Sequence, residues 1–176
     1  MKLRQFAFIA ALLTAASIAG SGVAPQGPLV PARPVGDTEV VDLDGLSGIE
    51  FGDTEQELSR RGVLRSDVDA CGPTLTGHED VSPIFVEDRL VLLWLDDPMS
   101  TPDGITVGTP VSDVRDRYPS ATRLAAPRGT HRFDGLLARN GDRAYLFLHD
   151  GVTVREIIAG YAEWARRLFD EGYGPC

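Results

Sequence analysis

The sequence has 176 residues, with 26 acidic against 17 basic side chains and a formal net charge of −9. Phosphate backbones and anionic lipid repel such a chain, and no basic stripe offsets this, which argues against nucleic-acid binding. Lys2 is the only lysine; every other cation is the planar, always-charged guanidinium of Arg.

Residues 1–24 have the three parts of a cleavable export signal. Lys2 and Arg4 form a positive start, Phe6 to Ala19 is an apolar run, and Gly20 to Ala24 is rich in small residues. The run would span about 21 Å as a helix, short of the roughly 30 Å hydrocarbon core. No basic stop-transfer cluster follows it. The expectation is therefore a secreted or extracytoplasmic protein, with no transmembrane segment in the mature chain. Losing Lys2 and Arg4, one positive charge each, takes the net charge from −9 to −11.

Residues 25–39 read as a Pro-rich linker. Pro25, Pro28, Pro31 and Pro34 recur at every third position, the spacing of a polyproline II tether. The folded part is expected over residues 40–176, a length that suits one domain with a real core.

Within it two blocks recur in the same order. Gly48–Thr54 matches Gly104–Pro110 at an offset of 56, and Ile84–Leu90 matches Leu146–Val152 at an offset of 62. This predicts tandem copies over about residues 45–100 and 101–160. In each copy the second glycine, Gly52 or Gly108, marks a turn, and Asp53 or Thr109 stands where a helix N-cap belongs, with Pro110 at the first helical position. The first helix should stop near Gly62 and the second at Tyr118, because Pro119 cannot continue it. A hairpin follows each helix. Pro83–Val86 and Arg89–Leu95 flank Glu87-Asp88; Ala144–Leu148 and Val152–Ile158 flank His149-Asp150-Gly151, with Asp88 and Asp150 as matching turn residues. Ala121–Ala126 and Thr130–Arg139 predict further short strands. Ala162–Asp170 predicts a helix with Ala165, Leu168 and Phe169 on one face, ended by Gly172. The predicted class is α+β: an antiparallel sheet with short helices on one face, two tandem α-β-β repeats and a C-terminal helix.

Cys71 and Cys176 are the only cysteines. Cys71 has no basic neighbour to form a thiolate, and in an oxidising compartment a bridge between the two is expected. It would close a 105-residue loop, worth up to about 4.7 kcal/mol in the chain-entropy model.

The tandem glycine turn, short helix and hairpin resemble the β-lactamase inhibitory protein fold. They are also similar to the BamE type of outer-membrane assembly lipoprotein. Residues 101–118, which fit TxxGIxVGxxxxxVRxRY, resemble a group of secreted proteins of high-GC bacteria. The resemblance covers about residues 45–160 and implies the fold first. Three departures stand beside it. The inhibitory proteins carry a disulfide in each repeat, and their aromatic-rich loops have no counterpart around Asp96-Asp97-Pro98 or Ala126-Pro127-Arg128. The BamE type is lipid-anchored, and no anchoring cysteine stands near residue 24.

Candidate chemistry is sparse. His78-Glu79-Asp80 is the densest polar trio, but three consecutive loop residues cannot all converge on a metal, and a solvated loop is expected. His149-Asp150 reads as turn chemistry and His131 as a structural strand histidine. Asp42-Leu43-Asp44-Gly45 opens like a calcium loop, but Ser47 and Asp53 stand where an EF-hand needs Gly and Glu. Gly45-Leu46-Ser47-Gly48 lacks the last glycine of a nucleophile elbow. Trp94 and Trp164 lie in apolar contexts and read as core. No catalytic, cofactor or metal residue is assigned and no cofactor is expected. The leading expectation is an exported, non-catalytic binding module with a protein or cell-envelope component as partner. The alternatives are a small secreted hydrolase using His131 or His78 with an acid, and an inhibitor of an extracellular enzyme.

Overall fold

The structure is a computed structural model and describes residues 39–65, 72–130 and 132–172. All of them lie within one unit, Val35–Cys176. The export signal, most of the linker, Cys71, Cys176 and His131 fall outside the described residues, and with them the expected disulfide.

The architecture is α+β, with antiparallel sheets and three short helices among the described residues. Two small ladders come first: β1 (Gly45–Leu46) with β2 (Ile49–Glu50), and β3 (Leu64–Arg65) with β4 (Thr74–Leu75). The main sheet has six strands: β5 (Val81–Val86), β6 (Arg89–Leu95), β7 (Thr122–Leu124), β8 (Asp134–Asn140), β9 (Arg143–His149) and β10 (Val154–Tyr161). Their order across the sheet is β5-β6-β10-β9-β8-β7. The helices are α1 (Glu55–Arg60), α2 (Val111–Arg117) and α3 (Ala162–Glu171).

The hairpins β5-β6 and β9-β10 form as their apolar, β-prone runs imply. They join through their second strands, with Trp94 opposite Ile158 and Leu92 opposite Gly160. Gly160 is required there. Its φ is 140°, and a Cβ would sit 2.3 Å from the Val91 carbonyl oxygen.

Both sheet faces carry a core, which explains why β6 reads as a nearly unbroken apolar run rather than an alternation. On one face Leu58 of α1 and Val111 and Val114 of α2 pack with Leu93, Leu95, Tyr145, Phe147 and Ile157. On the other, Ala162, Ala165, Leu168 and Phe169 of α3 pack on Leu137, Ala144, Leu146 and Ile158. The expectation of helices on one face holds for α1 and α2; α3 covers the opposite face. The reason is geometric: β10 runs directly into α3, and Tyr161 turns the chain onto the face already presenting Ile158. Burying Leu168 and Phe169 contributes about 1.5–3 kcal/mol each. Gly172 ends α3 in the left-handed conformation, φ 74°, its N–H donating to the Leu168 carbonyl at 2.8 Å.

The two glycine turns make corresponding bonds. Glu50 N–H donates to Asp53 Oδ2 and Thr106 N–H to Thr109 Oγ1, both at 3.0 Å. The Gly52 N–H reaches the Leu90 carbonyl at 2.9 Å, and the Gly108 N–H reaches that of Val154 at 2.8 Å. These bonds correct the predicted caps. Asp53 and Thr109 close the preceding turn, so the cap falls one residue later. Thr54 Oγ1 accepts from Glu57 N–H at 3.1 Å, and Pro110 stands at the N-cap with no side-chain bond. They also correct the match of Asp88 with Asp150. Asp88 and Val152 are the residues whose carbonyls accept from the helix starts, Glu55 and Val111. The second turn is longer because Asp150 Oδ1 gathers the N–H groups of Val152 and Thr153, each at 2.9 Å.

Candidate interaction surface

Helix α3 lies over β9, β10 and β8 and reaches only the rim of β6. The β5–β6 half of that sheet face is thus less covered by α3 than the β8–β9 half. Ser82, Ile84 and Val86 on β5, Trp94 on β6, Glu156 on β10 and Leu148 on β9 are all part-buried rather than sealed. Trp94 and Trp164 both pack against the α3 core, as their apolar contexts imply, and both are part-buried rather than sealed.

A cavity opens at each end of α3. The one by its C-terminal end, about 210 Å³, is lined by Trp94, Phe133, Leu148, Glu156, Leu168 and Phe169, with Arg132 and Gly172 at one wall. The one by its N-terminal end, about 220 Å³, is lined by Val86, Glu87, Arg89, Val91, Tyr161 and Trp164. Beside the latter, Arg143 lies 3.6 Å from the ring centroid of Tyr161 and 5.8 Å from that of Phe51. Its guanidinium also meets Asp142 at 2.8 Å, and its buried Nε has no hydrogen-bond partner. Arg167 similarly covers Trp164, at 5.1 Å from the ring. Aromatic faces and arginines side by side are the composition of contact surfaces.

The opposite face has a cavity of about 270 Å³, lined among others by Asp42, Asp103, Tyr118, Arg139 and Tyr145. Burial pushes the Tyr118 hydroxyl up to about 12 and raises the Tyr145 hydroxyl above the ordinary tyrosine value. Neither phenol is therefore an acid–base group at neutral pH. Tyr145 instead donates to the Val41 carbonyl at 3.1 Å, tying down the entry of the chain.

Both described histidines are spoken for. His78 lies in a loop whose Glu79 and Asp80 are exposed, but its own ring is not solvated: its Nδ1 lies 2.8 Å from Glu39 Oε2, and both side chains are largely covered. Glu79 turns away and accepts from the Gly77 N–H at 3.2 Å, so the trio does not converge. His149 is 5% exposed, and its Nδ1 accepts from the Gly151 N–H at 3.1 Å. Burial holds its pKa below the ordinary histidine value. Neither histidine lines any of these three cavities. Asp42 Oδ1 accepts from the N–H groups of Asp44 and Gly45 at 2.8 Å, so the calcium-like opening is a backbone turn.

Among the described residues, no group of three or more His, Cys, Asp or Glu is placed to hold a metal ion, and no helix is long and apolar enough to cross a membrane. Comparisons with family models, curated proteins and solved structures return no match. The less covered half of the sheet face was not legible as a site. Its only sequence signal is the pair of tryptophans, and their exposure depends on where α3 ends up.

Proposed function

We propose that this chain is an exported, non-catalytic binding module of the cell envelope or exterior, and that a protein partner docks on the β5–β6 half of the main sheet. One observation carries the proposal: Ile84, Val86, Trp94, Leu148 and Trp164 pack around the edge of the α3 core and are all only part-buried. Aromatic anchors in such a setting are where interface energy concentrates. The signal-like residues 1–24 support export. The structural commitments of His78 and His149 support binding over hydrolysis.

The same reading takes the domain as a duplication of one unit, in the manner of the β-lactamase inhibitory protein and BamE types. The paired bonds at Gly52 and Gly108 support it, as does the central pairing of β6 with β10.

The test places photoreactive benzoylphenylalanine at Ile84, or at exposed Ser112 on α2 as the opposite-face control, in protein made by its own host. A discrete protein adduct from position 84, absent from position 112 and reduced by Trp94→Ala, is expected. Equal labelling from both positions, or none from 84, overturns the reading.

A further inference from the structure

Glu156 is out of place on an interior strand. It lies two residues from fully buried Ile158 on the same face of β10, directly opposite Leu148 of β9, in the cavity that Trp94 and Phe169 also line. Its side chain is part-buried and has no hydrogen-bond or ion-pair partner among the described residues. An ionised carboxylate in such a place costs free energy unless something compensates it. Burial, and next the neighbouring Asp96 charge, raise its pKa above the ordinary glutamate value. Arg132 lines the same cavity, and its contacts run to other groups. Arg132 stacks over the Phe169 ring at 5.5 Å and donates to the Asp170 carbonyl at 3.4 Å.

The lining sets the chemistry of an occupant. Trp94 supplies an aromatic face, Leu148, Leu168 and Phe133 supply apolar sides, Glu156 supplies a carboxylate that the Asp96 charge acts on, and Arg132 lines the wall by Phe169 with its guanidinium committed there. That combination takes an alkyl stem with a cationic head. The cavity holds about 210 Å³. Small-molecule sites run from about 300 to 1,000 Å³, so this space is too small for one but suits a single side chain. It opens beside the apolar strip of Ile84, Val86 and Trp94, where a protein surface would lie.

We infer that this cavity is a specificity pocket for one lysine or arginine side chain of the protein partner, with Glu156 as the charge acceptor and Trp94 as the stacking wall. The inference rests on the docking surface proposed above and adds its chemistry: a partner that offers a basic residue to an acidic, lysine-poor protein. The unpaired carboxylate then also disfavours partners offering an acid or nothing at that point.

The experiment titrates the purified protein with Nα-acetyl-lysine amide, Nα-acetyl-arginine amide and, as the uncharged isostere, Nα-acetyl-norleucine amide. The readout is the indole N–H signal of Trp94, assigned with Trp94→Phe. A basic probe should move that signal to saturation and norleucine amide should not. Glu156→Gln, which keeps the shape, should weaken the basic probe about tenfold, the weight of one charge-assisted hydrogen bond. The amide spectrum of Glu156→Gln checks that it is folded; Asp96→Asn, on an exposed residue, gives a second reading in the same direction. Equal response to norleucine amide, or undiminished binding by folded Glu156→Gln, overturns the pocket. If Ile84 still crosslinks its partner when Glu156 is Gln, the docking surface stands and only the charge-reading role falls.

Discussion

Gly135 leaves the space that the Phe169 ring occupies: a Cβ at Gly135 would lie 3.0 Å from Phe169 Cε2 and 3.2 Å from Leu146 Cδ1. The missing side chain on β8 is what lets α3 settle onto the sheet. Gly135→Ala should cost about 1–3 kcal/mol through overpacking, more than the roughly 0.4–1 kcal/mol gained from a less flexible unfolded chain. Gly160→Ala should cost more, because its Cβ meets backbone rather than a ring that can tilt, and its φ is unfavourable for alanine. Urea unfolding ranks the two. If Gly160→Ala is the milder change, the close approach of β6 and β10 is not as described.

The turn between β5 and β6 holds two non-glycine residues in left-handed conformations, Glu87 at φ 50° and Asp88 at φ 64°. Each costs about 1–2 kcal/mol relative to ordinary backbone, and Asn-Gly is the pair that suits such a turn. The contact that the turn makes with α1 uses the Asp88 carbonyl, which any residue supplies. Replacing the pair by Glu87→Asn with Asp88→Gly should raise stability by about 1 kcal/mol, read from the shift in the urea midpoint. An unchanged or lowered midpoint would mean that the two side chains stabilise the turn by contacts of their own.

Acid should attack the β9–β10 turn first. The Asp150 carboxylate accepts from Thr153 and Val152 N–H and, next in weight, from Arg155, which holds its pKa down at about 2 against an ordinary 3.8. A carboxyl depressed in the folded state contributes stability that is complete above 3.8 and is lost as pH falls through about 2. His149 in the same turn is depressed by burial, so the fold favours its neutral form, and that contribution wanes as pH falls below 6.5. Stability measured from pH 8 to pH 2 should therefore decline in two stages. Asp150→Ala should flatten the lower stage and His149→Gln the upper. A His149→Gln protein with the same slope between pH 7 and 5 would place that titration elsewhere.

How much of this was legible follows from where the causes lie. The hairpin strand Arg89–Leu95 is written in local composition, as is the end of α3 at Gly172, and each is found in its predicted place. The caps were misplaced by one residue because Asp53 and Thr109 carry side chains that can bond forward or back; only the turn geometry decides. The length of the second turn depended on Asp150 gathering two N–H groups, which Asp-Gly alone does not reveal. His78 lies in a loop as expected, but its cover is not legible locally, because its partner, Glu39, stands 39 positions away. The candidate surface was hidden for the same reason: Trp94 is part-exposed only because α3, placed by long-range packing, stops short of β5.

That last point predicts how the two tryptophans behave. An indole sealed in a core is shielded from acrylamide, whereas one at a cavity mouth meets it. Trp94 and Trp164 are both part-buried, one at each end of α3, so Trp94→Phe and Trp164→Phe each leave a single fluorophore at a known place. Acrylamide should quench both single-tryptophan proteins well above the level of a sealed indole. The two should then diverge when Nα-acetyl-arginine amide is added. A cation stacked on Trp94 covers its ring, so quenching should fall in Trp164→Phe, which retains Trp94. It should be unchanged in Trp94→Phe, whose Trp164 already lies under Arg167 at 5.1 Å. Protection of Trp164 instead would move the cation-accepting site to the cavity lined by Val86, Glu87 and Tyr161. Weak quenching of both would seal the tryptophans in the core and cover that half of the sheet.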